Sequence, residues 1–373
     1  MKISTIFIIT HFPVIVCLLT AFTFVRPSRL KVRAQAIWMM ALLLCAAKGI
    51  VFETFGGHPM APSLPQYLVW AWNLAGSFLL ILFALSLVWW VKKWRVWILP
   101  LLALGLAVWG QYEGIRVPRV VEMELAYPNL PAELDGYRVL QISDPHCSSS
   151  AREWRTRAIV ELANAQNADL ICLTGDYVDG LVSYLGKDLE PLRGLRAKDG
   201  VYCVRGNHEY YLDRLPWARW FEENGFRFLT NECVFPRPSL ALGGMPDDGA
   251  HKKGYDVPPD VGMTFASATN GEFRLLLEHR PVFAATNAQH KVDLQLSGHT
   301  HGGIAPLLGT VVKQHNKGYL RGLYQVGDMK LYVSPGAGMW VGFPMRFFDP
   351  AEITVFRLRK GNCLNKTAGS DAE

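Results

Sequence analysis

Ser297-Gly298-His299-Thr300-His301-Gly302-Gly303 follows an apolar run, Val292, Leu294 and Leu296, that reads as a short buried strand. In an extended segment the side chains at i and i+2 point the same way. Both imidazoles can therefore look into one site, and the surrounding glycines let the backbone crowd it. A histidine pair alone is more often structural than metal-binding. It gains meaning here because four other predicted strand ends carry metal-type ligands.

Moving outward from that stretch, the chain alternates strands with helices. An extended entry segment spans Arg116–Pro128, where Val121, Met123 and Leu125 alternate with Glu122 and Glu124. A strand at Tyr137–Ser143 runs into Asp144-Pro145-His146, and an amphipathic helix follows over Arg152–Gln166. The strand Asp169–Thr174 ends in Gly175-Asp176-Tyr177-Val178-Asp179-Gly180, and a helix is expected over Leu185–Leu195. The strand Gly200–Arg205 ends in Gly206-Asn207-His208-Glu209, before a helix near Leu215–Asn224. Short strands at Arg227–Leu229 and Leu240–Gly243 precede a Gly/Pro/Asp-rich loop, Gly244–Gly262. Phe273–Leu277 ends in Glu278-His279-Arg280-Pro281, and a helix near Val282–His290 leads to the opening motif. Asn316–Tyr324 reads as a mobile segment, and strands near Leu331–Ser334 and Ile353–Leu358 close the chain. This alternation predicts a layered α/β architecture.

Ligands that follow successive strands gather at one edge of a sheet, where α/β folds build their sites. Asp144, His146, Asp176, Asn207, His279, His299 and His301 are the candidates. Carboxylate, amide and imidazole together suit borderline divalent cations such as Mn, Fe or Zn better than Mg or Ca. Seven side chains exceed one tetrahedral site and suit two metals that share one carboxylate. Each motif has a plainer reading: Asp144-Pro145-His146 as a turn, Gly175–Gly180 as a helix-capping loop, His279 as a surface residue. Their joint occurrence at five strand ends outweighs those separate readings.

The series D-x-H, G-D-x-x-D, G-N-H-E, an isolated His and G-H-x-H, in this order, resembles the calcineurin-like metallophosphoesterase superfamily. The similarity covers roughly residues 121–359, and Pro344–Thr354 is similar to its membrane-attached bacterial branch. The resemblance implies a layered β-sandwich flanked by helices and a centre with two divalent metal ions. One metal would be held by Asp144, His146 and His301, the other by Asn207, His279 and His299, with Asp176 bridging. His208 would stand near the leaving group, oriented by Asp179. The implied chemistry is hydrolysis of a phosphate ester by a metal-bridging hydroxide. Pro145 departs from the Leu or Thr usual in the family, at a position that is not a ligand.

The charge is split along the 373 residues. Before residue 121 stand eleven Lys/Arg and two Asp/Glu, a surplus of +9, and the remainder carries −3. The basic balance thus belongs to the N-terminal third and does not indicate nucleic acid. Eight of the twelve Trp lie there too, as a membrane interface favours. Four apolar segments, roughly Ile3–Phe24, Ala36–Phe55, Tyr67–Val91 and Val96–Trp109, predict an α-helical transmembrane region over residues 1–112, ahead of a catalytic domain over 113–373. The first segment lacks a small-residue cleavage site and reads as an anchor. The fourth is shorter and carries Pro100 near its start, so an interfacial helix is the competing reading. Arg26, Arg29, Lys31 and Arg33 mark the first connection as cytoplasmic, and Lys92, Lys93 and Arg95 the third. With four spans in a bacterial cytoplasmic membrane, the catalytic domain is expected on the periplasmic or extracellular side.

Seven Cys without CxxC spacing indicate buried core thiols rather than a zinc knuckle or a disulfide framework. The functional expectation is a membrane-bound phosphodiesterase acting on an envelope or lipid-linked phosphate, with the lipid bilayer as partner. A lipid pyrophosphatase of the UDP-diacylglucosamine type is the alternative within the same chemistry. A non-catalytic scaffold would have lost ligands, and none is missing here. A sensor or transporter reading would rest on the spans alone.

Overall fold

The chain's computed structural model describes residues 57–58, 61–92, 98–303, 306–341 and 345–361, and scattered positions between 16 and 43. The first two apolar segments fall for the most part outside the described residues. Helices α1 (Gln66–Lys92) and α2 (Ile98–Ile115) take up the third and fourth. Both are long and apolar enough to cross a membrane, judged by length and composition. Helix α2 outruns the apolar segment that predicted it. Pro100 stands in its first turn, where the missing N–H would have had no helical acceptor. Its 18 residues span about 27 Å at about 1.5 Å per residue.

Beyond a two-residue antiparallel pair, Gly57–His58 with Ala61–Pro62, the strands among the described residues are β1 (Arg119–Tyr127), β2 (Arg138–Ile142), β3 (Leu170–Leu173), β4 (Val201–Cys203), β5 (Glu232–Arg237) and β6 (Leu240–Gly244). They continue with β7 (Phe273–Leu277), β8 (Leu294–Ser297), β9 (Gly322–Val326), β10 (Met329–Val333) and β11 (Glu352–Lys360). β1 to β11 form two sheets, one ordered β1-β11-β2-β3-β4 and the other β9-β10-β8-β7-β6-β5. β2, β3 and β4 run parallel, as do β6, β7, β8 and β10.

Between the sheets lie Val139, Leu170, Cys172, Leu242, Leu275, Leu294, Leu296 and Phe356. The alternate residues Leu140, Ile142, Ile171 and Leu173 face outward against helices α3 (Glu153–Asn164), α4 (Val182–Leu189) and α5 (Arg214–Glu223). Strands buried on both faces need unbroken apolar runs, and Leu170-Ile171-Cys172-Leu173 is one. On the outer face of the second sheet, Ala241 and Leu276 pack against α7 (Val261–Thr264) and α8 (Ala284–Gln289), after the short α6 (Asp248–His251). Gln141 crosses the interior. Its amide donates to Thr174 Oγ1 at 2.9 Å and to the Ser297 carbonyl at 3.0 Å, linking the sheets beside the ligand edge.

The fold departs from the sequence reading at four places. Arg227–Leu229 forms only a single bridge, Phe228 with Cys203. β5 was not anticipated because Pro236 interrupts it, and proline is tolerated only at a sheet edge, where β5 lies. The helix expected over 185–195 gives way to a 3-10 turn, Glu190–Gly194, with proline in its first turn. Downstream of the opening motif, a helix α9 (Pro306–His315) is followed by β9, which takes up the end of the segment read as mobile.

Candidate metal centre

Each candidate ligand sits just past the C-terminal end of a parallel strand. Asp144 and His146 follow β2, Asp176 and Asp179 follow β3, and Asn207 and His208 follow β4. His279 follows β7, and His299 and His301 follow β8 in the facing sheet. The backbone here is strained. Asp144, His146, Asp176, His299 and His301 have φ of 51°, 45°, 57°, 71° and 49°. A left-handed conformation costs a non-glycine residue about 1–3 kcal/mol, and such residues collect at functional sites. Close packing forces it: a Cβ at Gly298 would stand 2.2 Å from Asp144 Oδ2, so only glycine lets the β8 turn approach the first motif.

Two ligand groups result. In the first, His301 Nε2 lies 3.6 Å from Asp144 Oδ1 and 3.1 Å from His146 Nε2. In the second, Asp176, His279 and His299 offer ligand atoms all within 4.8 Å of one another. Asp176 Oδ2 reaches both, at 3.2 Å from His279 Nε2 and 3.9 Å from His146 Nε2. The atoms left over fit cations. His146 Nδ1 faces Asp179 Oδ1 at 3.0 Å and His279 Nδ1 donates to the Thr174 carbonyl at 2.7 Å, which turns each Nε2 inward; burial works against charge on His279, yet Asp176 raises it to about 10, so a cation at Nε2 would displace a proton. His279 Nε2 and Asn207 Oδ1 are buried without a hydrogen-bond partner. Burial holds His299 and His301 well below the ordinary histidine value, with Arg280 and His146 adding to it. Both rings are thus neutral, the state in which imidazole binds metal.

The carboxylates differ. Burial opposes ionisation of Asp176, but His279 and His208 outweigh it and hold the group well below the usual range. Burial pushes Asp144 up, with Asp176 adding to the rise. Burial works against charge on His208 as well, yet Asp176 and Asp179 raise it to about 9.

A second layer fixes the first. Asp179 Oδ1 contacts His146 Nδ1 and, at 2.5 Å, His208 Nδ1, while its other oxygen accepts from the Val341 N–H at 2.7 Å. Glu209, the last residue of the Gly206–Glu209 motif, carries no ligand role in the sequence pattern. Buried, it accepts the backbone N–H groups of Asp176, Tyr177 and Gly206 at 3.0, 2.7 and 2.7 Å, stitching two ligand loops together. Glu209→Gln would turn an NH₂ donor toward one of those N–H groups. We expect metal affinity to fall about 10- to 100-fold, as for other residues that support ligands, while the helical circular dichroism is kept. An unchanged metal titration would refute this role.

The two long apolar helices dock on the same loops, which the sequence did not reveal. Gln66, Trp70 and Asn73 of α1 donate to the backbone or hydroxyl of Ser150, four residues past His146. Buried Arg155 donates to the carbonyls of Gly114 at the end of α2, of Pro145 between two ligands, and of Ala337. Arg346, also buried, binds the carbonyls of Pro335, Gly336 and Gly338, and its own N–H donates to the Gly110 carbonyl of α2.

A family model described as calcineurin-like phosphoesterase matches residues 137–303, a stretch that holds every candidate ligand. An uncharacterized metallophosphoesterase of Helicobacter pylori (strain J99) is 34% identical over 255 residues, which cover 68% of this chain and 67% of the relative. The YkuE metallophosphoesterase of Bacillus subtilis is 32% identical over 62% of this chain and 82% of its own length. A transmembrane protein with metallophosphoesterase domain from Danio rerio is 34% identical over 68% of this chain and 60% of its own length.

Proposed function

Because the chain belongs to the calcineurin-like metallophosphoesterase family, and is thereby a metal-dependent hydrolase of phosphoric esters, we propose that it is a membrane-bound phosphodiesterase with a dinuclear centre, acting on an envelope or lipid-linked phosphate. The observation that carries this reading is the pair of ligand groups sharing Asp176. Asp144, His146 and His301 would hold one cation, and Asn207, His279 and His299 the other. The bound cations would polarise the phosphoryl oxygens and acidify the attacking water.

The protein's own groups do the rest. Asp179 pins Nδ1 of His208, so Nε2 points into the cleft, 3.9 Å from Asp176 Oδ2. From there His208 can donate a proton to the departing oxygen. Tyr211 and Trp340 flank its ring at centroid distances of 4.8 and 6.3 Å and limit its rotation. His208→Ala is expected to lower kcat about 10²- to 10⁴-fold while both metal equivalents stay bound. Loss of metal in that variant would make His208 a ligand instead.

Residues 1–112 are assigned to the membrane region and 113–373 to the catalytic domain. The basic first and third connections, together with α2 as a full-length helix, support a periplasmic or extracellular position for that domain. The deciding experiment uses detergent-purified protein, stripped of metal and titrated with Mn²⁺, on bis-p-nitrophenyl phosphate and on the monoester. Mn²⁺-dependent cleavage of the diester is expected. Bound metal with neither ester cleaved would overturn the diesterase reading and turn the search to lipid pyrophosphates.

A further inference from the structure

Helix α9 leaves the metal centre directly. It begins three residues after Gly303, and a Cβ at Gly303 would stand 2.6 Å from the Gly309 Cα, so the helix lies flush against the ligand turn. Its free side exposes Leu308 and Val311, which are 43% and 51% accessible and one helical turn apart. Exposed Lys313 and Lys317 follow. Phe348, one residue before Asp349, is 69% accessible and has φ of 64°, a backbone state that a bulky side chain rarely adopts. Strain that turns an aromatic ring toward solvent needs a reason.

The surroundings of Phe348 supply one. Its ring meets that of Trp109, on the apolar helix α2, at a centroid distance of 5.5 Å. The next residue, Asp349, pairs with Arg321 and packs against Gly302, beside the ligand His301. The ligand turn thus touches α9 through Gly303 and the Phe348–Asp349 segment through Gly302, and that segment reaches Trp109 of α2. Apolar side chains beside lysines, continuous with a membrane-crossing helix, match a bilayer interface with anionic headgroups.

We propose that Leu308, Val311 and Phe348 form a lip that rests in the bilayer surface, so that the neighbouring metal centre takes the phosphoester of a membrane-borne amphiphile. This rests on the phosphoesterase reading above, narrows it to the lipid-linked class and adds the surface that presents the substrate to the metal centre.

Two measurements on the full-length protein in phosphatidylcholine/phosphatidylglycerol vesicles test it. In the first, an environment-sensitive fluorophore is attached at L308C, at V311C, and at K198C, an exposed position at the opposite edge of the sheets. Brominated acyl chains should quench the first two labels and not the third, after subtraction of the labelled parent protein. Equal quenching at all three positions, or none at 308 and 311, overturns the lip. In the second, hydrolysis of hexadecyl p-nitrophenyl phosphate in the vesicles is compared with that of soluble bis-p-nitrophenyl phosphate. The double variant L308E/V311E should lower the ratio of the two rates about tenfold, since two apolar contacts with the bilayer are lost. An unchanged ratio overturns the substrate assignment. If the metal-loaded parent cleaves neither ester, the phosphoesterase reading fails and the substrate assignment with it, while the quenching still decides the lip.

Discussion

Asp176→Asn is expected to lower kcat/KM for a phosphodiester about 10³-fold, because a shared carboxylate supports both cations and each factor of ten corresponds to about 1.4 kcal/mol. The substitution is close to isosteric. Oδ1 can still accept the His208 N–H, now 2.8 Å away, so the turn should persist. What changes is Oδ2, which lies 3.2 Å from His279 Nε2 and 3.9 Å from His146 Nε2. An amide there removes the negative charge and can turn an N–H donor toward those two nitrogens. Metal content should therefore fall by at least one equivalent, with the larger loss at weaker metal buffering. Kinetics and elemental analysis of the same preparation check both parts. Near-normal turnover with two metals bound would defeat the shared-carboxylate reading.

The ligands were legible because catalytic geometry has a short-range signature. A parallel strand buried on both faces is a run such as Leu170-Ile171-Cys172-Leu173, and a polar residue straight after it has only the sheet edge to occupy. His299 and His301 could likewise be read from their i, i+2 spacing. The structure places them in different groups, since His301 meets His146 and His299 falls with Asp176 and His279. That division came from the family resemblance, because spacing alone does not say which side of a shared carboxylate each ring takes. Long-range contacts left no such trace. Glu209 acts through three backbone N–H groups, which no side-chain pattern encodes. β5 hides behind Pro236, and α9 starts next to glycines that read as loop. The docking of α1 and α2 depends on residues such as Asn73 and Ser150, 77 positions apart and ordinary in isolation.

Arg155→Ala should be the most damaging single change away from the ligands, with a loss of about 3–5 kcal/mol and a fall of about 10 °C in the thermal midpoint in detergent. Arg155 is 2% exposed, and among the described residues its side-chain hydrogen bonds go to the carbonyls of Gly114, Pro145 and Ala337. Burial draws the guanidinium down to about 10, so it remains charged at neutral pH. Its charge is met by oriented dipoles, among them the Gly114 carbonyl at the C-terminal end of α2, where a helix favours a cation. Removing the side chain strands the carbonyls of Gly114, Pro145 and Ala337 inside the protein. Pro145 lies between Asp144 and His146, so affinity for the first cation should drop together with stability. Arg155→Lys keeps the charge, but one ammonium cannot span three carbonyls that a planar fork reaches, and only partial recovery is expected. The metal titration separates two views of helix α2. If affinity falls in both variants, α2 helps to set the first ligand pair through Arg155. If the midpoint drops while affinity holds, α2 contributes anchoring and stability only, and the metal centre is built by the sheets alone.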